Sequence, residues 1–443
     1  MVDIHLFKMK TGQNLYKKAK KIIPGGTMLL SKRPEMFLPE NWPSYFSKAK
    51  GAKLWDLDNN EYVDMSIMGI GTNSLGYGND EVDEAVSNTI RKGNLSTLNC
   101  PEEVYLAEKI IDINPWADMV RFARTGGEAN AIAVRIARAS SGKNKVAICG
   151  YHGWHDWYLS ANIGSKNSLN THILPGLNPL GVPTNLEDTV FPFDYNNLEM
   201  LNEICDHKDI GVIKMEVIRN IEPKDNFLEK VRDLATKRGI VLIFDECSSG
   251  FRESFGGIFN NYSVYPDMAM FGKTIGNGYA LTAVVGKESV MKSAQDTFIS
   301  STFWTERIGP TAALKTLEVM EKVKSWEIIT EIGLKVRKGW NDIAENNDLK
   351  INISGIPALS SYSFEIDHNL ELHTYITQEM LKKGFLSADR FYASTEHNDE
   401  ILDKYFDALN DVFSSINDIT KSEKNIKEFL EGPVRHYGFK KIN

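Results

Sequence analysis

Several short apolar runs in the middle of this 443-residue chain end on residue types that can do chemistry. The run at 120–123 leads into Arg124-Thr125-Gly126-Gly127-Glu128, which opens a stretch with apolar residues at helical spacing. Glycines at a helix start leave backbone N–H groups open, and the positive end of the helix dipole favours a phosphate there, although such a pair can also simply turn the chain. The run at 146–149 leads into Gly150-Tyr151-His152-Gly153-Trp154-His155-Asp156-Trp157. Aromatic groups at that density can stack on a planar ring or cap a sheet edge. Asp245 and Glu246 follow the run at 240–244. A carboxylate there can keep a heterocyclic nitrogen protonated, or it can serve as an ordinary helix cap or polar strand end. Gly272-Lys273-Thr274-Ile275-Gly276-Asn277-Gly278 follows the run at 268–271. A lysine among residues without side chains can be reached by a bulky ligand and form an imine; standing alone, it would be a surface lysine.

Taken together, a phosphate cradle, a ring-stacking aromatic, a carboxylate for a pyridinium nitrogen and an imine-forming lysine are the parts that pyridoxal phosphate chemistry needs. The elements that must position them are legible. Apolar runs at 120–123, 146–149, 212–217, 240–244, 268–271 and 283–286 alternate with helical segments, which predicts an α/β domain with a largely parallel sheet. Ala129, Ile132, Ala133, Ile136 and Ala137 recur at helical spacing, as do Phe227, Val231, Leu234 and Ala235 before a stop at Gly239. In an open sheet of this kind ligands sit beyond the carboxyl ends of the strands, where all four constellations fall.

Outside this region, residues 50–64 predict a hairpin turning at Asp58-Asn59-Asn60, and residues 13–23 predict an amphipathic surface helix stopped by Pro24-Gly25-Gly26. Residues 351–366 and 384–393 read as strand and turn before a closing helix near 398–416. The expected division is an N-terminal segment (1–75) contributing to a small domain, a large domain (76–325) and a C-terminal small α+β domain (326–443).

Composition narrows the function. The 51 Lys and Arg are outnumbered by 59 Asp and Glu, a formal charge of −8 that repels a phosphate backbone, so no nucleic-acid partner is expected. No apolar stretch approaches the ~20 residues that cross a bilayer, so no membrane partner and a cytoplasmic location are expected. Cys100, Cys149, Cys205 and Cys247 form no paired motif, which fits reduced thiols. His152 and His155 lack companions at ligand spacing, and no metal is expected.

The sequence resembles the class III pyridoxal-phosphate-dependent aminotransferases, and within them the glutamate-1-semialdehyde 2,1-aminomutases. The likeness runs from residues 15–26 (LYKKAKKIIPGG) to about residue 320 and is densest over 240–278, from IVLIFDECSSGFR to PDMAMFGKTIGNG. It implies the type I transferase fold of aspartate aminotransferase, with a seven-stranded mixed sheet in the large domain, and a homodimer with shared active sites. By the same resemblance Lys273 carries the cofactor as a Schiff base and shuttles a proton. Asp245 keeps the pyridine nitrogen protonated, and Tyr151 stacks on the ring with His152 beside it. Thr125, Gly126 and Gly127 stand at the phosphate, Thr302 reaches it from the neighbouring subunit, and Glu216 matches the acidic residue of a Glu-Pro motif whose proline is Val217 here.

The implied reaction moves an amino group from a donor amine or amino acid to a carbonyl acceptor by way of pyridoxamine phosphate. An intramolecular aminomutase shares every cofactor residue, and a catalytically silent ligand-binding homologue is opposed by retention of both Lys273 and Asp245. Substrate-side positions depart from the aminomutase pattern. Lys32, with Arg33 beside it, replaces a carboxylate-binding arginine. The loop at Met68-Gly69 lacks the usual Ser-Trp, and Ser387-Ala388-Asp389-Arg390-Phe391 replaces a segment expected to carry glutamate. Phe303-Trp304-Thr305-Glu306-Arg307 is bulkier than the usual sequence after Thr302. An enzyme acting on a substrate other than glutamate-1-semialdehyde is expected.

Overall fold

Strands covered on both faces read as unbroken apolar runs rather than alternating ones, and every residue of Ile210–Met215, Val241–Glu246, Met268–Phe271 and Thr282–Gly286 is buried. They form the centre of a seven-stranded sheet in the computed structural model, which describes residues 11–442 except 165–167, 171, 173, 219, 366, 367 and 423. Across the sheet the order is Met119–Ala123, Thr282–Gly286, Met268–Phe271, Val241–Glu246, Ile210–Met215, Lys145–Cys149, Val190–Pro192. Thr282–Gly286 runs antiparallel to both neighbours and all other adjacent pairs are parallel, so the sheet is mixed. Six strands therefore point their carboxyl ends to one edge, and Thr125, Tyr151, Glu216, Asp245 and Lys273 follow or end five of them.

Two strand boundaries differ from the sequence expectation. The run at 212–217 is a strand only to Met215, and Val241–Glu246 continues through both carboxylates that were expected to follow it. The edge strand Val190–Pro192 was not foreseen; three residues ending in proline give almost no periodic signal. Beneath the sheet edge, the helix Gly126–Ser141 buries the expected face of Ala129, Ile132, Ala133, Ile136 and Ala137. Phe227–Arg238 ends where Gly239 takes a left-handed conformation (φ 62°) and donates its N–H to the carbonyls of Ala235 and Thr236.

This sheet belongs to one of two compact units, Asp80–Glu327; the other joins residues up to Asn79 with Ile328–Asn443. In the second unit the antiparallel strands Phe46–Lys50, Lys53–Asp56 and Glu61–Met65 are extended by Phe385–Ser387, which lies parallel to Glu61–Met65 and so ties the two chain ends together. The predicted hairpin turn is held by the Asp56 carboxylate, which accepts the N–H groups of Asp58 and Asn60 at 2.9 Å each. Ile351–Ser354, Leu359–Phe364 and Arg390–Tyr392 form a separate small sheet. Trp340, Tyr362, Tyr405 and Phe413 anchor the core of this unit. The amphipathic N-terminal helix spans Thr11–Ile22 and the closing helix Asp399–Lys421. Among the described residues no helix is long and apolar enough to cross a membrane.

Candidate active site

Side chains two apart on a strand share a face, so Asp245 lies on the same side of the sheet as Ile243, whose partner on the next strand is Lys214. The Asp245 carboxylate is 3% exposed. Its Oδ2 stands 2.8 Å from His152 Nδ1 and 3.3 Å from Lys214 Nζ, and Oδ1 accepts the Cys247 N–H at 3.2 Å. Burial pushes this carboxyl up, but the charge of Lys214, the His152 contact and the Cys247 N–H outweigh it and hold Asp245 well below the ordinary carboxylate range. Burial, and then Lys214, push His152 below its ordinary value against the pull of Asp245. The result is a dry carboxylate that stays ionised and keeps one lightly used oxygen.

Lys273 begins a short turn directly after Met268–Phe271 and adopts a positive φ of 38°, uncommon for a residue with a Cβ. Its Nζ donates to Ser248 Oγ at 2.7 Å, three residues beyond Asp245. The lysine is half-buried.

At the start of Gly126–Ser141, Thr125 and Glu128 form a reciprocal capping box. Glu128 Oε2 accepts the N–H groups of Arg124 and Thr125 at 3.0 and 2.9 Å, while the Thr125 hydroxyl accepts the Glu128 N–H and keeps its own proton for another partner. Among the described residues no acceptor takes the N–H of Gly126 or Gly127. Two open donors at the positive end of a four-turn helix fit an anionic phosphate. Gly127 has a second constraint: a Cβ there would lie 2.8 Å from His155 Cε1.

Glu216 governs the aromatic loop. Its Oε2 accepts the Tyr151 N–H at 3.2 Å, and Gly150, at φ 110°, passes so close that a Cβ would lie 2.6 Å from that oxygen. Tyr158 donates to the Gly150 carbonyl at 3.1 Å and meets the half-buried Tyr151 ring edge-on at 6.0 Å. Glu216 thus braces the backbone that presents Tyr151 and His152.

The structure brings together Thr125, Gly126, Gly127, Tyr151, His152, Glu216, Asp245 and Lys273 along one sheet edge. Thr302 is exposed at the start of the Thr302–Thr305 turn. The bulky segment after it is firmly seated. Arg124 donates to the carbonyls of Trp304 and Glu306 at 3.0 and 2.9 Å and pairs with the Glu306 carboxylate, which in turn accepts the N–H groups of Ile308 and Gly309. Arg307 grips Glu102 through two nitrogens at 2.8 and 2.7 Å. Sequence reasoning missed Lys214 and Ser248. The signal for Lys214 was a lone charge inside the run Val212-Ile213-Lys214-Met215, since a lysine in a fully covered strand needs a partner.

The departures in the other unit also have definite structures. Lys32 is exposed, whereas Arg33 donates to the Lys440 carbonyl at 3.0 Å and lies over the Phe439 ring. Met68, Gly69, Ile70 and Gly71 all have positive φ, a left-handed turn closed by the Gly71 N–H on the Ile67 carbonyl at 2.6 Å. Asp389 is clasped by Arg390 and by Arg435 at 3.1 and 3.2 Å.

A sheet of this topology with lysine, carboxylate and open helix terminus at its carboxyl edge defines a pyridoxal-phosphate-type transferase. The family model for class III aminotransferases matches residues 39–413, and the chain belongs to that family. It is an aminotransferase that uses pyridoxal 5'-phosphate and acts on small molecules. It is 33% identical to a 3-aminobutyryl-CoA aminotransferase of Cloacimonas acidaminovorans (strain Evry), over 92% of this chain and 98% of that one. It is 32% identical to a glutamate-1-semialdehyde 2,1-aminomutase of Methanothrix thermoacetophila, over 92% and 97%. Among solved structures, the fold superposes with TM-score 0.84 on the FumI protein of Sphingopyxis sp. MTA144 in its PLP internal aldimine form, at 23% identity over 95% of this chain and 99% of that one.

Glu246, the neighbour of Asp245, points to the opposite face and behaves oppositely. It is 1% exposed, accepts Ser249 Oγ at 2.6 Å and the Phe259 N–H at 3.3 Å, and is pushed up to about 7 by burial. A carboxyl raised in the folded state favours folding while protonated, so its contribution is full below about pH 4.5 and is lost as the pH rises through about 7. Glu246→Gln removes this dependence. Measured by urea denaturation, the variant should gain on the wild type by up to about 3 kcal/mol between pH 5 and pH 8, at about 1.4 kcal/mol per unit; a pH-independent difference would contradict the raised value.

Proposed function

We propose that Lys273, Asp245, His152, Tyr151, Glu216, Thr125, Gly126 and Gly127 form the cofactor site of a two-substrate transaminase, working as a cytoplasmic homodimer in which a second copy brings its Thr302 to the phosphate. The observation that carries this reading is the convergence of a half-buried lysine amine, an ionised dry carboxylate and two unpartnered helix N–H groups on one sheet edge. When bound, pyridoxal phosphate supplies an electron-withdrawing ring that takes up the charge left when a substrate carbon loses its proton.

The protein's own groups do the rest. The Gly126 and Gly127 N–H groups and the Thr125 hydroxyl bind the phosphate, with the helix end adding its positive potential. Asp245 holds a proton on the ring nitrogen through its free lone pairs, and His152 fixes the carboxylate's orientation from Oδ2. Tyr151 stacks on the ring, on a backbone set by Glu216. Lys273 Nζ would hold the cofactor covalently and, when its amine is free, would accept and return a proton at the substrate carbon. Ser248 Oγ, 2.7 Å away, is the acceptor that orients that amine.

The residues at the substrate-side positions that the resemblance implies favour a donor and acceptor other than glutamate-1-semialdehyde. At a carboxylate-binding position lysine loses arginine's bidentate fork, and the adjacent Arg33 is occupied by the Lys440 carbonyl. The aminomutase reading draws on the 32% identity to the Methanothrix enzyme. The two separate by experiment: a transaminase needs an added amino donor and releases a keto product, and its pyridoxamine form should yield 5-aminolevulinate from glutamate-1-semialdehyde only slowly. Efficient 5-aminolevulinate production without a donor would establish the aminomutase instead.

Lys273→Ala should abolish multiple turnover while cofactor still binds noncovalently, followed by absorbance and by dialysis; near-normal turnover would remove Lys273 from this role. Asp245→Asn should fold normally but lose orders of magnitude in rate, because a neutral amide cannot hold the ring proton. A rate within a few-fold of wild type would show that Asp245 does something else.

A further inference from the structure

Lys214 is the only charged side chain of the Ile210–Met215 strand and is 0% exposed. Its Nζ has two close neighbours, Asp245 Oδ2 at 3.3 Å and the Met270 sulfur at 3.2 Å. A thioether is a weak acceptor, so among the described residues Asp245 is the carboxylate in direct contact with this ammonium. The same Oδ2 also meets His152 Nδ1 at 2.8 Å, while His152 Nε2 stands 3.2 Å from the Cys149 carbonyl.

Both imidazole nitrogens therefore face oxygen acceptors, a geometry that could house an imidazolium. Two bases compete for one charge opposite one carboxylate, and charging both would leave an excess cation in a site without water. The amine is the stronger base by about four units, and Lys214 lies on the rigid centre of the sheet rather than on a loop. Among the described residues, other ionisable groups facing the cluster include Glu216, His172, Cys247, Lys273 and Tyr158, whose ring meets His152 edge-on at 5.8 Å.

We propose that Lys214 is the permanent counter-charge of Asp245: its ammonium keeps the carboxylate ionised with or without cofactor and leaves His152 a neutral Nδ1–H donor. Lys214 is thus a positioning residue acting through Asp245. Its consequence for the ring nitrogen rests on the functional reading of Asp245 given above, whereas the proton count of the cluster does not. With Lys214 present, the charge beneath the ring does not change across neutral pH. Without it, His152 takes over the positive charge and releases it again as the pH rises.

The test is nitrogen-15 NMR of histidine-labelled protein, apo and holo, with His152 assigned by a His152→Gln control. In the wild type His152 should give the split signals of a neutral imidazole from pH 6 to 9. In Lys214→Met it should become an imidazolium, with a midpoint at least about one pH unit higher. The ratio of cofactor dissociation constants, variant over wild type, should then change across that midpoint. Lys214→Gln, which keeps a donor without the charge, serves as the second variant. Should neither variant fold, the wild-type spectrum decides. An imidazolium in the wild type, identical titrations in wild type and variant, or a pH-independent ratio beside a shifted midpoint would overturn the proposal. The apoenzyme titration bears on Lys214 alone, whereas the rate of Asp245→Asn bears on the functional reading.

Discussion

A carboxylate taken out of water must be paired or it takes up a proton, and Asp245 is an ionised carboxylate almost without solvent. What keeps it so is a set of contacts from three different parts of the chain: Lys214 on a neighbouring strand, His152 on the aromatic loop and the N–H of Cys247 just beyond the strand end. Each demands something of the fold. Lys214 requires the two strands in register, His152 requires the loop to turn back toward Asp245, and that turn is braced by Glu216 and the positive-φ Gly150.

The contrast between Asp245 and Glu246 shows how finely position sets charge. The two are adjacent on one strand and almost equally buried, yet they point to opposite faces. Asp245 finds a lysine and a histidine and stays ionised; Glu246 finds a hydroxyl and a backbone N–H and holds its proton up to about neutral pH. At Glu246 the neutral hydrogen bonds do not offset burial, whereas at Asp245 the charge of Lys214 with the His152 and Cys247 contacts does.

The helix start at Gly126 is equally economical. Glu128 satisfies the N–H groups that precede the first turn, so the donors left open are those of the two glycines. Arg124, one residue before the cap, fastens the segment after Thr302 by two carbonyls and the Glu306 carboxylate. Glu306 and Arg307 are therefore structural struts of this segment, whereas Phe303 is exposed.

The sequence by itself determined the kind of protein: short apolar runs bounded by turn residues read as covered strands, helical spacing between them reads as an α/β sheet, and Lys273, Asp245, Tyr151 and the Gly126-Gly127 pair follow those runs at intervals readable without coordinates. It did not reveal where Val241–Glu246 ends, because a carboxylate terminates an apolar run whether or not the strand continues. Nor did it reveal the strand Val190–Pro192, which is too short for any period. Only the tertiary structure decided the charges. Lys214 is distant from Asp245 and His152 in sequence, and strand register alone brings the three within hydrogen-bonding reach. A side chain's protonation follows from its nearest neighbours in space, which a linear pattern does not encode.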